Sequence, residues 1–181
     1  MKVCLIRPPY VIPLTSVYGN KGTPPLGLVY LAAALEGEGH DVTCIDAFAE
    51  AIDAFTPIDN SNLLANGLTI EKIIGRISPQ VELIGISCMF SNEWIYSSRL
   101  IVALKEKFPQ AKIVLGGEHV TAARHRLDDD VGIAGDGLGH VGRDDPGPLV
   151  MGAAGDLNVG PVPSANVVDY YAIPAGTKLT L

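Results

Sequence analysis

Basic residues, aromatics, cysteines and long apolar runs are all scarce in these 181 residues. Each scarcity removes a class of function. Thirteen lysines and arginines stand against twenty acidic residues, which gives a formal net charge of −7. A chain with no basic stripe has little to exchange for the counterions of a phosphate backbone, so nucleic acid is excluded as a partner. Aromatics at 6% are too few for a base-stacking platform. No apolar run reaches the roughly 18 residues that a membrane span needs. The opening "MKVCLIRPPY" is interrupted by Arg7 and two prolines before it could serve as a leader. The expected location is cytoplasmic, with no membrane partner.

The three cysteines, Cys4, Cys44 and Cys88, are separated by 40 and 44 residues, a spacing that matches no zinc or iron–sulfur pattern. Each lies in or beside an apolar stretch and reads as a small buried hydrophobe, with Cys88 set apart by its place at a strand end. The dinucleotide fingerprint G-x-G-x-x-G is missing after the first strand, where "RPPYVIP" stands. The phosphate loop with its lysine, the G-x-S-x-G elbow, H-E-x-x-H and C-x-x-C are absent as well. With no catalytic constellation, the chain reads as a binding module.

What is present is an alternation of strands and helices over the first 123 residues. "KVCLI" (2–6) is a near-continuous apolar run, as expected of a parallel strand buried on both faces. A helix is predicted over 27–40, stopped by Gly37 and Gly39, and a strand over 41–46. Residues 47–66 read as a long irregular or partly helical connection. A helix capped by Thr69 follows over 69–78, then a strand over 83–87. Residues 93–108 form the clearest helix, preceded by Ser91 or Asn92 as cap, and a strand over 112–117 ends on a glycine pair. Four strands alternating with helices predict a doubly wound, mainly parallel α/β sheet of flavodoxin-like or Rossmann-like three-layer type.

Beyond residue 123 the style changes. Residues 124–181 hold half of the twenty glycines and show no sustained period. They read as an irregular Gly/Pro-rich extension with a short helix over 122–128 and short strands near 167–171 and 179–181. "GDGLGHVG" (135–142) follows no convincing strand and is treated as loop composition.

Ligands of doubly wound sheets bind beyond the carboxyl ends of the strands. That directs attention to Arg7, Pro8, Pro9 and Tyr10 after the first strand and Asp46 after the second. After the third come Ser87, Cys88 and Met89, and after the fourth Gly116, Gly117, Glu118 and His119. One further stretch, "NKGTPPLG" (20–27), is written as a helix start, with Thr23 as cap and Pro24 and Pro25 at the first helical positions. Eighteen residues, Arg7 to Pro24, separate it from the preceding strand, whereas such loops usually take about two to six. A bulky ligand above the strand would account for the excess.

Four segments in this order, "VCLIRPPY", "GTPPLGLVYLAAALEGEGHDVTCIDA", "ELIGISCMF" and "KIVLGGEHVTA", resemble the amino-terminal cobalamin-binding domain of cobalamin-dependent radical S-adenosylmethionine enzymes. The resemblance covers residues 1–123 and implies a flavodoxin-like sheet holding cobalamin over its strand ends. Carried over by position, it assigns the Arg7–Tyr10 loop and the Thr23–Leu26 helix start, with Pro24, to the corrin ring. Ser87 and Met89 take the positions after the third strand. Gly116 and Gly117 would let the nucleotide tail pass close to the backbone, so that Gly117→Val should block the channel with the fold largely intact.

Two departures limit the inheritance. The D-x-H-x-x-G motif that supplies a histidine to cobalt is absent, and the first histidine after the first strand is His40. The C-x-x-x-C-x-x-C motif of the radical domain is absent too, so the chain is expected to act with a separate radical S-adenosylmethionine protein. It would then be a standalone carrier or a separated binding domain, and not catalytic alone. Two alternatives use the same residues. One is a flavodoxin-like nucleotide or flavin binder with Thr23 on phosphate and Asp46 on ribose. The other is a degenerate remnant with no ligand, dimerising through a sheet edge or its tail.

Overall fold

The computed structural model describes residues 1–16 and 22–123. Four strands, β1 (Lys2–Arg7), β3 (Asp41–Asp46), β6 (Leu83–Ser87) and β7 (Lys112–Gly116), form a parallel sheet in the order β3-β1-β6-β7. Register runs from Val3 opposite Val42 on one side and Leu83 on the other, to Ser87 opposite Gly116. All five residues of the central β6 are buried, because both faces of the sheet are covered. The doubly wound, parallel architecture expected from the sequence is therefore present. The short elements expected over 122–128, 167–171 and 179–181, and the extension as a whole, fall outside the described residues apart from 122 and 123.

Alternation along β1 sorts its side chains into two cores. Val3 and Leu5 meet Leu28, Leu31 and Leu35 of α1 (Leu26–Gly37), along with Leu83 and Val114. Cys4 and Ile6 join the larger core on the opposite face, with Ile84, Ile86, Ile113 and Leu115. That core takes in Ile73 of α2 (Ile70–Ile74) and Leu100, Ile101 and Leu104 of α3 (Trp94–Lys107). Each fully buried Leu or Ile contributes on the order of 1.5–3 kcal/mol over leaving it in water. Helices on both faces of the sheet make the three layers.

Helix ends follow local chemistry. Thr69 Oγ1 accepts from the Lys72 amide at 3.4 Å, as expected of a cap. Gly39, at φ +80°, lets the chain leave α1 while His40 N–H bonds Leu35 O at 3.0 Å and Gly39 N–H bonds Glu36 O at 2.9 Å. The start of α1 differs from expectation. Helical structure begins at Leu26, the N-cap is Pro25, and no side chain caps it. A residue preceding proline is pushed out of the helical region. Thr23 precedes Pro24 and Pro24 precedes Pro25, so neither can take the first turn. Ser91 and Asn92 are not caps either: both lie within a 3₁₀ turn, Ser91–Glu93, that leads into α3.

Residues 47–66 are not simply irregular. They carry a 3₁₀ turn, Ala49–Ala51, and the strands β4 (Phe55–Pro57) and β5 (Leu63–Asn66). With β2 (Tyr10–Pro13) these make an antiparallel sheet in the order β2-β5-β4. The pairing of Tyr10 with Asn66 and Pro13 with Leu63 joins segments some fifty residues apart, which no local periodicity reveals. Part of the oversized loop after β1 is thus a strand. Asn66, fully buried, fixes the small sheet by donating from Nδ2 to Ile52 O at 2.7 Å and Ala54 O at 3.0 Å.

Candidate functional site

Above the carboxyl ends of β1 and β6 lies a crevice of about 300 Å³. Three chain segments wall it. After β1 come Arg7, Pro8 and Tyr10; the entry to α1 contributes Thr23, Pro24 and Leu26; the end of β6 contributes Ser87 and Met89. These eight were expected from sequence, and the fold brings them together. Pro25, inside the Thr23–Leu26 stretch already assigned, lines it too, whereas Gly27, Leu28, Phe90 and Glu93 also line it and were missed. Gly27 and Leu28 continue a segment already singled out, and Phe90 and Glu93 lie one and four residues beyond Met89.

Glu93 carries the local order of the β6 side. It is buried at 6% exposure, and its Oε2 accepts from the amides of Met89 at 3.2 Å and Phe90 at 3.3 Å. The loop after β6 is thereby folded around a carboxylate. The neighbouring Asn92 donates from Nδ2 to Val11 O at 2.6 Å, tying this loop to β2.

Arg7 organises the β1 side. Its Nη1 donates to Thr23 O at 2.7 Å and its Nε lies 3.4 Å from Asp46 Oδ1. The guanidinium carbon is 5.2 Å from the ring centroids of both Tyr10 and Phe48. Those two rings stack at 4.2 Å. A cation packed on aromatic rings is held electrostatically as well as sterically.

Six expected residues do not line the crevice. Pro9 turns toward Gly67, where a side chain at 67 would meet its Cβ at 3.0 Å. Cys88 is fully buried, and its thiol lies 3.8 Å from Phe90 O. Gly116 accepts from the Cys88 amide at 2.6 Å. Gly117 sits at φ +112°, and a Cβ there would overlap the Cys88 carbonyl. The glycine is required by the chain's own backbone, so Gly117→Val cannot leave the fold intact. Glu118 is exposed in the first turn of α4 (Glu118–Ala123). His119 Nδ1 pairs with Ser91 Oγ at 3.0 Å, and its ring lies 5.4 Å from that of Trp94.

The geometry does not suit the phosphate-and-ribose alternative. Pro24 and Pro25 have no N–H, and the Leu26 amide is bonded to Pro24 O at 2.9 Å, which leaves fewer donors at the helix start for a phosphate. Asp46 is engaged by Arg7 and by the Ala49 amide at 3.1 Å. Burial pushes the Cys4 thiol up to about 12, with Cys44 as a smaller cause. Burial, then Glu36, raises Cys44. Among the described residues no cluster of three or more His, Cys, Asp or Glu could hold a metal.

The model of the B12-binding domain family matches residues 14–140. The chain belongs to the B12-binding domain family. The cofactor this membership implies is cobalamin. Among curated proteins, the cytidylyl-2-hydroxyethylphosphonate methyltransferase of Streptomyces wedmorensis is 37% identical over 101 residues, covering 54% of this chain and 18% of that protein. The anaerobic magnesium-protoporphyrin IX monomethyl ester cyclase of Synechocystis sp. is 32% identical over 127 residues, covering 70% of this chain and 22% of that protein. This B12-binding chain thus matches about a fifth of the length of either relative. No solved structure gave a significant match. Among the described residues no helix is long and apolar enough to cross a membrane.

The crevice fits the cofactor's chemistry. A corrin is a broad apolar plate with a carboxamide fringe. The walls would offer Pro8, Pro24, Leu26, Met89 and Phe90 to the plate, and the largely buried guanidinium of Arg7 would face the fringe. No histidine lines the crevice among the described residues.

Proposed function

We propose that the chain carries cobalamin over the carboxyl ends of β1 and β6, as a standalone carrier or the separated binding domain of a methyl-transferring radical enzyme system in the cytoplasm. The observation that carries this reading is the convergence of three segments, Arg7–Tyr10, Thr23–Leu26 and Ser87–Phe90, on one apolar crevice with a buried cation at its edge. The binding unit is assigned to residues 1–123, and 124–181 to an extension of it.

The chain's own residues bind and orient. Arg7 holds the entry of α1 against β1, and Glu93 holds the Met89 and Phe90 amides on the other wall. Bound cobalamin would supply a methyl carrier. A separate radical S-adenosylmethionine protein is the proposed partner, as the resemblance to the binding domain of such enzymes implies. Leu26 and Phe90 at the crevice mouth, and Val29 and Tyr30 along α1, are exposed apolar side chains beside the site, which favours a partner covering this rim. Gel filtration after incubation with hydroxocobalamin tests the reading. Corrin absorbance should travel with the protein, and its absence from the protein peak would remove the proposal.

A further inference from the structure

Arg7 uses its donors unevenly. Nη1 serves Thr23 O at 2.7 Å, and Nε faces Asp46 at 3.4 Å. Nη2 is buried and meets no hydrogen-bond acceptor among the described residues. A charged N–H removed from water without an acceptor is costly, so this group is poised for an oxygen that arrives with a ligand. The side chain lines the crevice and keeps 11% exposure.

The charge around Arg7 restricts what that oxygen can be. Arg7 is paired with Asp46, the Asp46 amide donates to Glu50 at 3.1 Å, and Glu50 is paired with Arg76. Two cations flank two carboxylates along this row, so the guanidinium charge is already balanced. An incoming phosphate would place a third anion beside Asp46 and Glu50. A neutral carbonyl oxygen would satisfy Nη2 without that repulsion. The stacked Tyr10 and Phe48 rings hold the guanidinium from the side, so little side-chain freedom remains to be lost on binding.

We propose that Arg7 Nη2 donates to a carboxamide carbonyl on the corrin rim, making Arg7 a recognition residue for the neutral amide fringe and not for the nucleotide phosphate. This rests on the cobalamin reading, and the test separates the two. Wild type, Arg7→Met and Arg7→Lys are titrated with hydroxocobalamin and with cobinamide, which keeps the corrin amides and lacks the nucleotide phosphate. Lysine keeps the charge opposite Asp46 but cannot serve Thr23 and a second acceptor in one plane. Ligand-free circular dichroism selects the variants that fold.

Both substitutions are expected to weaken both corrins by the same factor, about tenfold or more. In wild-type protein labelled with ¹⁵N-arginine, hydroxocobalamin should shift the Arg7 Nη2 resonance, which a merely structural arginine would not show. Equal affinity of the folded variants and wild type overturns the assignment, as does an unmoved Nη2 resonance. A loss confined to hydroxocobalamin also overturns it, by assigning Arg7 to the phosphate. If wild type binds neither corrin, the cobalamin reading itself fails and the assignment falls with it.

Discussion

The Nδ2 of Asn92 reaches Val11 O at 2.6 Å, a contact between residues 81 positions apart. It joins the loop after β6 to β2, and so joins the parallel sheet's binding edge to the small antiparallel sheet. Asn92→Ala should lower unfolding stability by about 1 kcal/mol. It should also weaken cobalamin binding, because one crevice wall loses its anchor. Urea denaturation gives the first value and a corrin titration the second.

Glycines 117 and 39 both have positive φ but different surroundings. A Cβ at Gly39 meets nothing within 4 Å, whereas one at Gly117 overlaps the Cys88 carbonyl. Gly39→Ala is expected to cost about 1 kcal/mol. Gly117→Ala should cost clearly more, since backbone must move, and should populate little native protein. Paired thermal melts of the two variants check the order.

Glu93 accepts two amides from inside the β6 wall. Glu93→Ala leaves both N–H groups without that acceptor, at about 1–3 kcal/mol each if they stay buried. Glu93→Gln keeps an acceptor oxygen and should lose roughly half as much or less. Denaturation curves for the three proteins measure the difference.

The thiols give a pH signature. Cys4 is buried and Cys44 is exposed, and Cys4 titrates in the folded chain near 12 against an ordinary value of 9.0. Its folded pKa is raised, so its contribution is fully present below pH 9 and is lost as pH rises through the folded value. Stability should therefore fall above about pH 9, with at most about 1.4 kcal/mol per pH unit from one group. Cys4→Ala should flatten that decline. A thiol reagent should modify Cys44 in the folded chain, and Cys4 and Cys88 only after unfolding, which counting modified thiols will show.

The parallel sheet was legible because its strands are short apolar runs and its helices begin and end on recognisable signals, such as Thr69 and Gly39. The crevice was legible where topology dictates it, in Arg7, Ser87 and Met89. The antiparallel sheet was not, because β2 and β5 pair across a long separation and each is four residues long. Thr23 misled because its cap-like position ignores what two successive prolines do to the residues before them. Glu93 escaped notice because its partners are backbone amides, which leave no mark in a sequence. His119 and the glycine pair looked like crevice groups, yet they meet Ser91, Trp94 and Cys88 within the chain.

The most direct test of the central claim is equilibrium titration of the purified chain with hydroxocobalamin, read by the corrin absorption bands, beside parallel titrations with flavin and adenine nucleotides. The account predicts saturable binding of one cobalamin per chain and no binding of the nucleotides. Saturable nucleotide or flavin binding, with no change in the corrin spectrum, would contradict it.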